Sequence, residues 1–283
     1  MRWFILLLFL CSSQSFAETS LWRVSNGAHE LYIGGTIHVL RASDYPLPSA
    51  FDDAFKKATR LVFETDIAAT EDPAFGQRLL QRTTYSDGRS LKDGLSRETY
   101  RQLEAFCTAR GLPIVIFQKM RPPMVVLTLM VLELQRLGIS GTGVDRHYFQ
   151  RAVAANKKIG QLETVTEQLD FMANLGKGRE DDFVSYSLRD MQQLETVMDE
   201  LISAWRTGDL DKMAVIALEE MRRNFPGIYQ QLLVNRNHNW LPRIETMLSD
   251  PGIELILVGA LHLVGDDGVL QLLRERGYRI EQQ

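Results

Sequence analysis

The chain has 283 residues, of which 45% are hydrophobic and 24% are charged, a composition typical of one large globular domain or two modest ones. It argues against intrinsic disorder, which goes with few apolar residues and a high net charge. The formal net charge is −4 and the Lys and Arg residues are scattered. A nucleic-acid partner is therefore not expected, because phosphate binding requires a clustered positive field.

The N-terminus has the layout of a secretory signal peptide. Arg2 precedes an apolar run at residues 4–10, and small or polar residues then lead to Ala17. We expect cleavage near Ala17, so that residues 1–17 are the leader and the mature protein is periplasmic or secreted. The apolar run is far shorter than the roughly 20 residues that a membrane-spanning helix needs.

The sequence contains two cysteines, Cys11 and Cys107. Leader removal discards Cys11, so the mature protein cannot form an intramolecular disulfide and its stability must come from packing. A lipoprotein signal at Cys11 is the weaker alternative, because the large side chain of Leu10 directly before the cysteine fits lipid modification poorly.

The first predicted elements after the leader are a β-hairpin, a helix and a strand. Two strand-like runs, at 21–25 and 30–36, lie on either side of an Asn-Gly dipeptide, which is a strong hairpin signal. Apolar residues recur at helical spacing over 50–59, and the apolar run at 61–63 is predicted as a strand.

Helical patterns dominate from residue 70 to about 123, where Ser96 is a typical helix-starting residue. The strongly apolar run at 124–137 is predicted as a buried core helix, because it is too short to span a membrane. The remaining predicted elements are a helix at 145–156, a strand at 158–162, helices from 166 to 246 broken near 177–178 and 226–227, a strand at 254–258, a helix at 268–276 and a strand at 278–280.

These elements predict an α/β fold. Strands near both ends of the chain, with a mostly helical stretch between them, imply that the two ends pair into one sheet. We therefore expect a central mixed sheet built from both chain ends and flanked by helices. The predicted organisation is a single domain over residues 18–283, with a helical insertion at about 70–249 that could cap the sheet.

Two elements far apart in the sequence share the spacing Gly-x-x-His, Gly35-Thr-Ile-His38 and Gly259-Ala-Leu-His262. Each histidine follows a predicted strand, and ligands of open α/β sheets bind beyond the carboxyl ends of the strands. A glycine at a strand end lets the backbone turn sharply or approach a ligand closely. Alternatively, each histidine only caps its strand through backbone hydrogen bonds.

Glu64 directly follows the apolar strand at 61–63, so its carboxylate should be partly buried, which is costly without a cation or hydrogen-bond donors. We interpret Glu64 as a metal ligand or a general base; an edge carboxylate facing solvent is the alternative. Asp66 lies on the same strand face and is a weaker candidate. Together with His38 and His262, Glu64 forms a set that suits Zn²⁺, Mn²⁺, Co²⁺ or Fe²⁺ with open positions for water.

Arg236 and Asn237 lie in a polar cluster inside a predicted helical stretch. An arginine in this position could clamp a substrate carboxylate or stabilise a developing oxyanion. The alternative is that Arg236 forms an ion pair on the surface.

The chain resembles the TraB/PrgY/GumN family, which is related to the TIKI metalloproteases and more distantly to the ChaN and erythromycin-esterase-like folds. The resemblance covers residues 22–280. The matching residues are Gly35-Thr-Ile-His38, Glu64, Gly143-Val-Asp145, Leu162-Glu-Thr164 with Gln168, Arg236-Asn237, Gly259-Ala-Leu-His262, Gly265 and Gly277-Tyr278.

The resemblance implies an α/β fold with a central sheet. For the TIKI branch it implies a divalent-metal-dependent peptidase that uses two histidines and a glutamate, here His38, His262 and Glu64, with Arg236 and Asn237 near the site. The match at residues 162–164 further suggests a third strand end that places Glu163 in the same cleft.

We therefore predict a metal-dependent hydrolase that acts on peptides or proteins. A divalent ion, Mn²⁺, Co²⁺ or Zn²⁺, is expected at His38, Glu64 and His262, and Glu64, Arg236 and Asn237 are expected to take catalytic roles. One alternative is a non-catalytic periplasmic protein that holds haem or a metal, as the ChaN resemblance suggests. Another is an interaction module with a vestigial site. The sequence has no Gly-x-Ser-x-Gly, His-Glu-x-x-His or phosphate-binding motif, so nucleotide cofactors are not expected.

Overall fold

The structure is a computed structural model that describes residues 18–283. The predicted signal peptide, residues 1–17, lies outside the described residues. None of the helices within residues 18–283 combines the length and the apolar character that crossing a bilayer requires.

The described residues form eight strands, and six of them build one sheet. The strands are β1 (Leu21–Ser25), β2 (Glu30–Thr36), β3 (Val39–Leu40), β4 (Arg60–Phe63), β5 (Gly141–Thr142), β6 (Lys158–Gln161), β7 (Glu254–Gly259) and β8 (Arg279–Gln282).

The order of the six-stranded sheet is β6-β4-β7-β2-β1-β8. The first four strands in this order are parallel, whereas β1 is antiparallel to both of its neighbours. Strands β3 and β5 pair separately. The predicted mixed sheet with strands from both chain ends is thus confirmed, and β7 lies at its centre although it comes late in the chain.

Helices flank the sheet, and most belong to the middle of the chain, as predicted. Two of the helical stretches contain a π turn, at Ala214–Leu218 and at Gln230–Val234. The α-helices are α1 (Ser49–Lys57), α2 (Ile67–Glu71), α3 (Pro73–Thr83), α4 (Arg97–Thr108), α5 (Pro122–Arg136), α6 (Val144–Ala154), α7 (Val165–Asn174), α8 (Glu180–Thr207), α9 (Leu210–Met213), α10 (Glu219–Asn224), α11 (Pro226–Tyr229), α12 (Asn235–Met247) and α13 (Val269–Glu275).

Local side-chain hydrogen bonds explain where several of these elements begin. In the hairpin turn, Oδ1 of Asn26 accepts from the backbone N–H groups of Ala28 and His29, at 3.0 and 2.8 Å. At the start of α4, the hydroxyl of Ser96 accepts from the backbone N–H of Thr99 at 3.2 Å. Both are the signals used in the sequence prediction, and both predictions are confirmed.

The helical stretch from 166 to 246 has a break that the prediction missed. Helix α8 ends at Gly208, whose φ is +62°, and the following Asp209 N–H donates to the carbonyl of Ala204 at 2.9 Å. This left-handed cap is inexpensive for glycine because glycine has no Cβ. The prediction of breaks only near 177–178 and 226–227 is therefore wrong at this residue.

The sheet separates two apolar layers, because successive strand residues face opposite sides. On one side, residues such as Leu61 and Leu255 pack with the helices of the insertion, including Trp205 of α8. On the other side, residues such as Val62 pack with α12 and α13.

Candidate metal centre

The predicted ligands lie at the carboxyl ends of three adjacent parallel strands. His38 lies two residues beyond the end of β2, Glu64 directly follows β4, and His262 lies three residues beyond β7. Strand β7 is hydrogen-bonded to both β2 and β4, so the three strand ends meet at one edge of the sheet. The structure thus brings together the three residues that the sequence selected.

Glu64 is a largely buried carboxylate, with 13% of its side chain exposed. Its Oε1 accepts from the backbone N–H of Gly259 at 2.6 Å, and its Oε2 accepts from Nη2 of Arg236 at 2.6 Å. Burial disfavours its charged form, but Arg236 and the nearby histidines outweigh burial and hold the pKa of Glu64 well below its usual range. Glu64 is therefore ionised, and the alternative of a solvent-facing edge carboxylate is wrong.

His262 is buried, and Asn237 fixes its orientation. The side-chain amide of Asn237 donates to the carbonyl oxygens of His262 and Asp267, at 3.3 and 2.8 Å, so its Oδ1 faces Nδ1 of His262 at 2.6 Å. Nδ1 consequently carries the proton and donates it to Asn237, which leaves a lone pair on Nε2. Burial, more than any nearby charge, lowers the pKa of His262 to about 3, so the ring is neutral at physiological pH.

Arg236 is buried between two glutamates. Its Nε donates to Oε1 of Glu163 at 2.7 Å, while Nη2 donates to Oε2 of Glu163 at 3.1 Å and to Glu64. Its Nη1 lies 3.1 Å from Nε2 of His262. The guanidinium also lies over the rings of Phe171 and Trp240, 4.5 and 4.8 Å from their centroids. The alternative of a surface ion pair is therefore wrong for Arg236.

A π turn directly precedes the residues that α12 contributes to this cluster. Gln230–Val234 closes with the backbone N–H of Asn235 donating to the carbonyl of Gln230. A π turn holds one more residue than an α turn, and each residue turns a helix by about 100°. The extra residue therefore sets which face of α12 is aimed at the sheet edge, and that face carries Arg236, Asn237 and Trp240.

His38 lies in the cleft, with 62% of its side chain open to solvent. Its Nδ1 is 3.3 Å from Oδ1 of Asp145, which orients the ring and leaves Nε2 on the side of Glu64. Loss of contact with water on the buried side of the ring disfavours protonation of His38. The negative charges of Asp145 and then Glu64 outweigh this effect and raise the pKa of His38 to about 9. A ligand reaching this cleft thus meets one neutral and one cationic histidine.

The loop that carries His38 is held against the start of α6. The backbone N–H of Val144 donates to the carbonyl of Ile37 at 3.0 Å. A Cβ on Gly143 would lie 2.0 Å from the carbonyl oxygen of His38, so only glycine permits this approach. This contact places Asp145, two residues later, beside the ring of His38.

The space above Gly259 is the place where a divalent ion would fit. A Cβ on Gly259 would lie 3.2 Å from Oε1 of Glu64, 3.5 Å from Nε2 of His38 and 3.6 Å from Cδ2 of His262. The donors that Zn²⁺, Mn²⁺ and Co²⁺ accept include a neutral imidazole with a free Nε2, as in His262, an ionised carboxylate, as in Glu64, and a second imidazole, which His38 would provide once a bound ion displaced its Nε2 proton. The chemical types of these side chains therefore suit such an ion.

The side chains do not yet stand at ligand distances. Nε2 of His262 and Oε1 of Glu64 are 4.0 Å apart, whereas tetrahedral ligands at about 2.1 Å from zinc are roughly 3.4 Å apart. Within residues 18–283, no three His, Cys, Asp or Glu side chains are close enough to share a metal ion. Binding would require small side-chain movements, including withdrawal of Arg236 from Nε2 of His262.

The structure also shows which residues the sequence reasoning misplaced or missed. Asp66 is not part of the cluster, because its Oδ1 caps α2 by accepting from the backbone N–H of Ala69 at 3.0 Å. Glu163 lies in the cluster, as the motif at residues 162–164 suggested. Asp145 belonged to a matching motif but received no role, and Trp240, whose Nε1–H donates to Glu163 at 2.9 Å, was missed. Its position one helical turn after Arg236 was the available signal.

Comparisons with known proteins agree on one group of relatives. A family model described as the TraB/PrgY/gumN family matches residues 20–282. The uncharacterized protein YbaP of Escherichia coli (strain K12) is 23% identical over 252 residues, which cover 88% of this chain and 89% of YbaP. No solved structure matches this chain.

Two further relatives are named metalloproteases. Metalloprotease TIKI2 of Xenopus tropicalis is 24% identical over 326 residues, which cover 96% of this chain and 61% of TIKI2. Metalloprotease TIKI1 of Homo sapiens is 24% identical over 323 residues, which cover 95% of this chain and 62% of TIKI1. This chain therefore spans less than two thirds of the length of the TIKI proteins it matches.

Proposed function

Since this chain belongs to the TraB/PrgY/gumN family, we propose that it is a divalent-metal-dependent hydrolase that cleaves peptides, with His38, Glu64 and His262 as the metal ligands. The names of the TIKI relatives support metalloprotease chemistry. The proposed ions are Mn²⁺, Co²⁺ and Zn²⁺, and the proposed substrate is a peptide or protein.

The observation that carries this proposal is the state of His262. The Nδ1–H of His262 donates to Oδ1 of Asn237, so the neutral imidazole keeps a lone pair on Nε2, which lies 4.0 Å from Oε1 of ionised Glu64 at the end of a neighbouring strand. A histidine that only capped its strand would place a ring nitrogen on a backbone group, whereas both ring nitrogens of His262 face side chains, those of Asn237 and Arg236. Hydrogen bonding of the second ring nitrogen is the usual support of a metal-ligating histidine.

The surrounding residues would each serve hydrolysis in a definite way. When bound, a divalent ion polarises a carbonyl group and generates a nucleophile from water near neutral pH. Asn237 holds the tautomer of His262, and Asp145 orients His38. Arg236, once it withdraws from His262, has donors to steady the negative charge that develops on the substrate oxygen.

The test is the metal content of the mature protein, purified without chelators and measured by elemental mass spectrometry. We expect about one divalent ion per chain in the wild type, from the single ligand set proposed here. His38→Ala and His262→Ala should lose it. His238→Ala is the matched control, because His238 is exposed and lies on α12 outside the cluster.

Peptide cleavage is then assayed with Mn²⁺, Co²⁺ and Zn²⁺ on the same variants. Activity that depends on an added ion and disappears in His38→Ala and His262→Ala supports the proposal. Normal metal content in both of these folded variants would contradict the ligand assignment. Metal binding without cleavage of any peptide would contradict the peptidase.

A haem-binding protein without turnover is the second candidate. A cavity lined mainly by apolar side chains adjoins His38 and His262, and this is the surrounding that a haem with histidine ligands requires. Haem added to the purified protein would then show a Soret band shifted from that of free haem, and His262→Ala should abolish the shift. Absence of the shift would leave hydrolysis as the proposal.

The proposed location is the periplasm or the extracellular space. It depends on the predicted leader at residues 1–17. N-terminal sequencing of the protein recovered from the periplasm or the medium is expected to begin near Glu18. A chain that retains Met1 in the cytoplasm would contradict it.

A further inference from the structure

A cavity of about 430 Å³ opens beside the candidate metal centre, between the sheet edge and the helical insertion. Its floor is formed by residues of the centre itself, namely His38, Gly259, His262 and Arg236. Its volume falls within the range of roughly 300–1,000 Å³ that is usual for small-molecule sites. A side chain bound in this cavity would therefore lie next to a substrate bond held at the centre.

The walls of the cavity are apolar. They come from α5, α7, α8 and the two helical stretches with π turns, and include Leu127, Phe171, Leu201, Trp205, Met213 and Leu233. The indole N–H of Trp205 is already bonded to the carbonyl oxygen of Gly35 at 2.7 Å. A water molecule in the cavity would need two to four polar partners, and these walls offer few.

A second cavity, of about 370 Å³, also borders His38, and its lining mixes apolar with charged and polar side chains. It contains charged and polar side chains, including Glu71, Asp145, Arg146 and Gln168. Thr36 and His38 line both cavities, so the two meet at the candidate centre. A peptide bound at the centre would therefore lie beside one mainly apolar cavity and one that also contains charged groups.

We propose that the apolar cavity is a specificity subsite that takes a large aliphatic or aromatic side chain of the peptide substrate, next to the bond that is cleaved. This inference rests on the proposed function, because it assigns a substrate class to the same centre. Burial of such a side chain displaces poorly bonded water from the cavity and holds the adjoining backbone at His38 and His262. The methionine Met213 in the wall can adapt to side chains of different shape.

The test uses the peptides acetyl-Ala-Ala-X-Ala-Ala-amide, in which X is Gly, Leu, Phe or Lys. One series of NMR titrations of the mature protein as purified gives the dissociation constant from line broadening, and new resonances report cleavage. We expect the Leu and Phe peptides to bind at least about tenfold more tightly than the Gly peptide. The Lys peptide should bind no more tightly than the Gly peptide, because its ammonium group would lose its hydration on entering the cavity.

Two pairs of variants locate the effect. Leu127→Trp fills the cavity from α5, and Leu132→Trp, on the same helix, adds the same ring outside the cavity, where Leu132 is 36% exposed. Leu201→Phe fills the cavity from α8 in case Leu127→Trp fails to fold. We expect the ratio of the dissociation constant of the Gly peptide to that of the Leu or Phe peptide to fall to near one in Leu127→Trp and Leu201→Phe. In Leu132→Trp this ratio should stay at its wild-type value.

The outcomes separate the subsite from the proposed chemistry. Equal binding of all four peptides to the wild type, or a preference that survives both cavity-filling variants, would overturn the subsite. Cleavage without any preference at X would overturn it as well and leave the hydrolase intact. A preference that the variants remove, without cleavage under added Mn²⁺, Co²⁺ or Zn²⁺, would support the subsite and contradict the proposed peptidase.

Discussion

Glu163 shares the Arg236 guanidinium with Glu64, so the two carboxylates and the arginine form a buried cluster with one excess negative charge. Replacing Glu163 with Gln removes that excess charge and frees Arg236 to bind Glu64 more tightly. Both effects disfavour a cation. We expect Glu163→Gln to weaken metal binding by about 10-fold or more, as loss of groups that support metal ligands usually does.

The measurement is a competition titration with a chromogenic chelator. Glu167→Gln is the control, because Glu167 is an exposed residue whose capping of α7 a glutamine can retain. Equal metal affinity in Glu163→Gln and the wild type would show that Glu163 only holds Arg236 in place.

Asp190, on α8, lies outside the candidate centre. Burial, and to a lesser extent the nearby carboxylate of Glu220, raises the pKa of Asp190 from its usual 3.8 to about 6. A raised carboxyl pKa means that the folded state holds the proton longer than the unfolded state. The resulting loss in the free energy of unfolding is absent at pH 3–4, develops as the pH rises through about 4 to 6 and is complete above that window. Asp190→Asn should therefore stabilise the protein at pH 7 by up to about 3 kcal/mol.

Urea denaturation at pH 4 and pH 7 measures this difference in the free energy of unfolding. The variant and the wild type should differ little at pH 4 and clearly at pH 7. An equal difference at both pH values would mean that the substitution acts through packing or hydrogen bonding and that the charge of Asp190 has no part in it.

At the level of single residues, the sequence was most informative where a His or Glu follows a predicted strand. His38, Glu64 and His262 each follow an apolar run, so their shared edge could be predicted from parallel pairing alone. The hydrogen bond from Nδ1 of His262 to Asn237 and the ion pairs of Arg236 could not, because they depend on how α12 is rotated against the sheet. Asp66 follows the same strand as Glu64, yet it became a helix cap because the chain turns into α2 directly after β4.

Among the elements, the C-terminus of α8 offers a sharp test of packing. Gly208 has a φ of +62°, and a Cβ there would lie 2.3 Å from the carbonyl oxygen of Thr19. Gly208→Ala must therefore strain the backbone and also push the helix end away from Thr19, just before β1. We expect a loss of about 2–4 kcal/mol in the free energy of unfolding.

Gly111 provides the control, because its φ is +69° and no atom beyond its adjacent residues lies within 4 Å of the place that its Cβ would take. Gly111→Ala should cost only about 1–2 kcal/mol, from the left-handed conformation alone. Equal losses in thermal or urea unfolding would mean that the contact of Gly208 with Thr19 relaxes without cost.

Most elements were predictable because their apolar periodicity and their start signals agree. Ser96 before α4 and Asn26 in the first hairpin are examples. The two π turns were not predicted, because each shifts the phase of the apolar pattern only once, within a short helical stretch, and no other sequence signal marks the shift. The turn at Gln230–Val234 matters most, since it rotates Arg236 and Asn237 into the candidate centre.

For the whole molecule, the sheet and the helical insertion share one apolar core. Leu61 and Leu255 of the sheet belong to the same buried cluster as Trp205 and Val125 of the insertion. We predict that residues 18–283 unfold as one cooperative unit. Urea transitions followed by far-UV circular dichroism and by tryptophan fluorescence should coincide. Two separated transitions would show that the insertion is an independent domain.

The position of β7 has a consequence for the order of folding. β7 lies between β2 and β4, yet it is made only after about nine tenths of the chain, at Glu254–Gly259. Until it is synthesised, the two early strands have no common neighbour, and contacts between such distant segments are slow to form. β1 can pair with β2, and β4 with β6, without β7, but these two parts of the sheet can join only through β7, so the complete sheet forms only when nearly the whole chain is available.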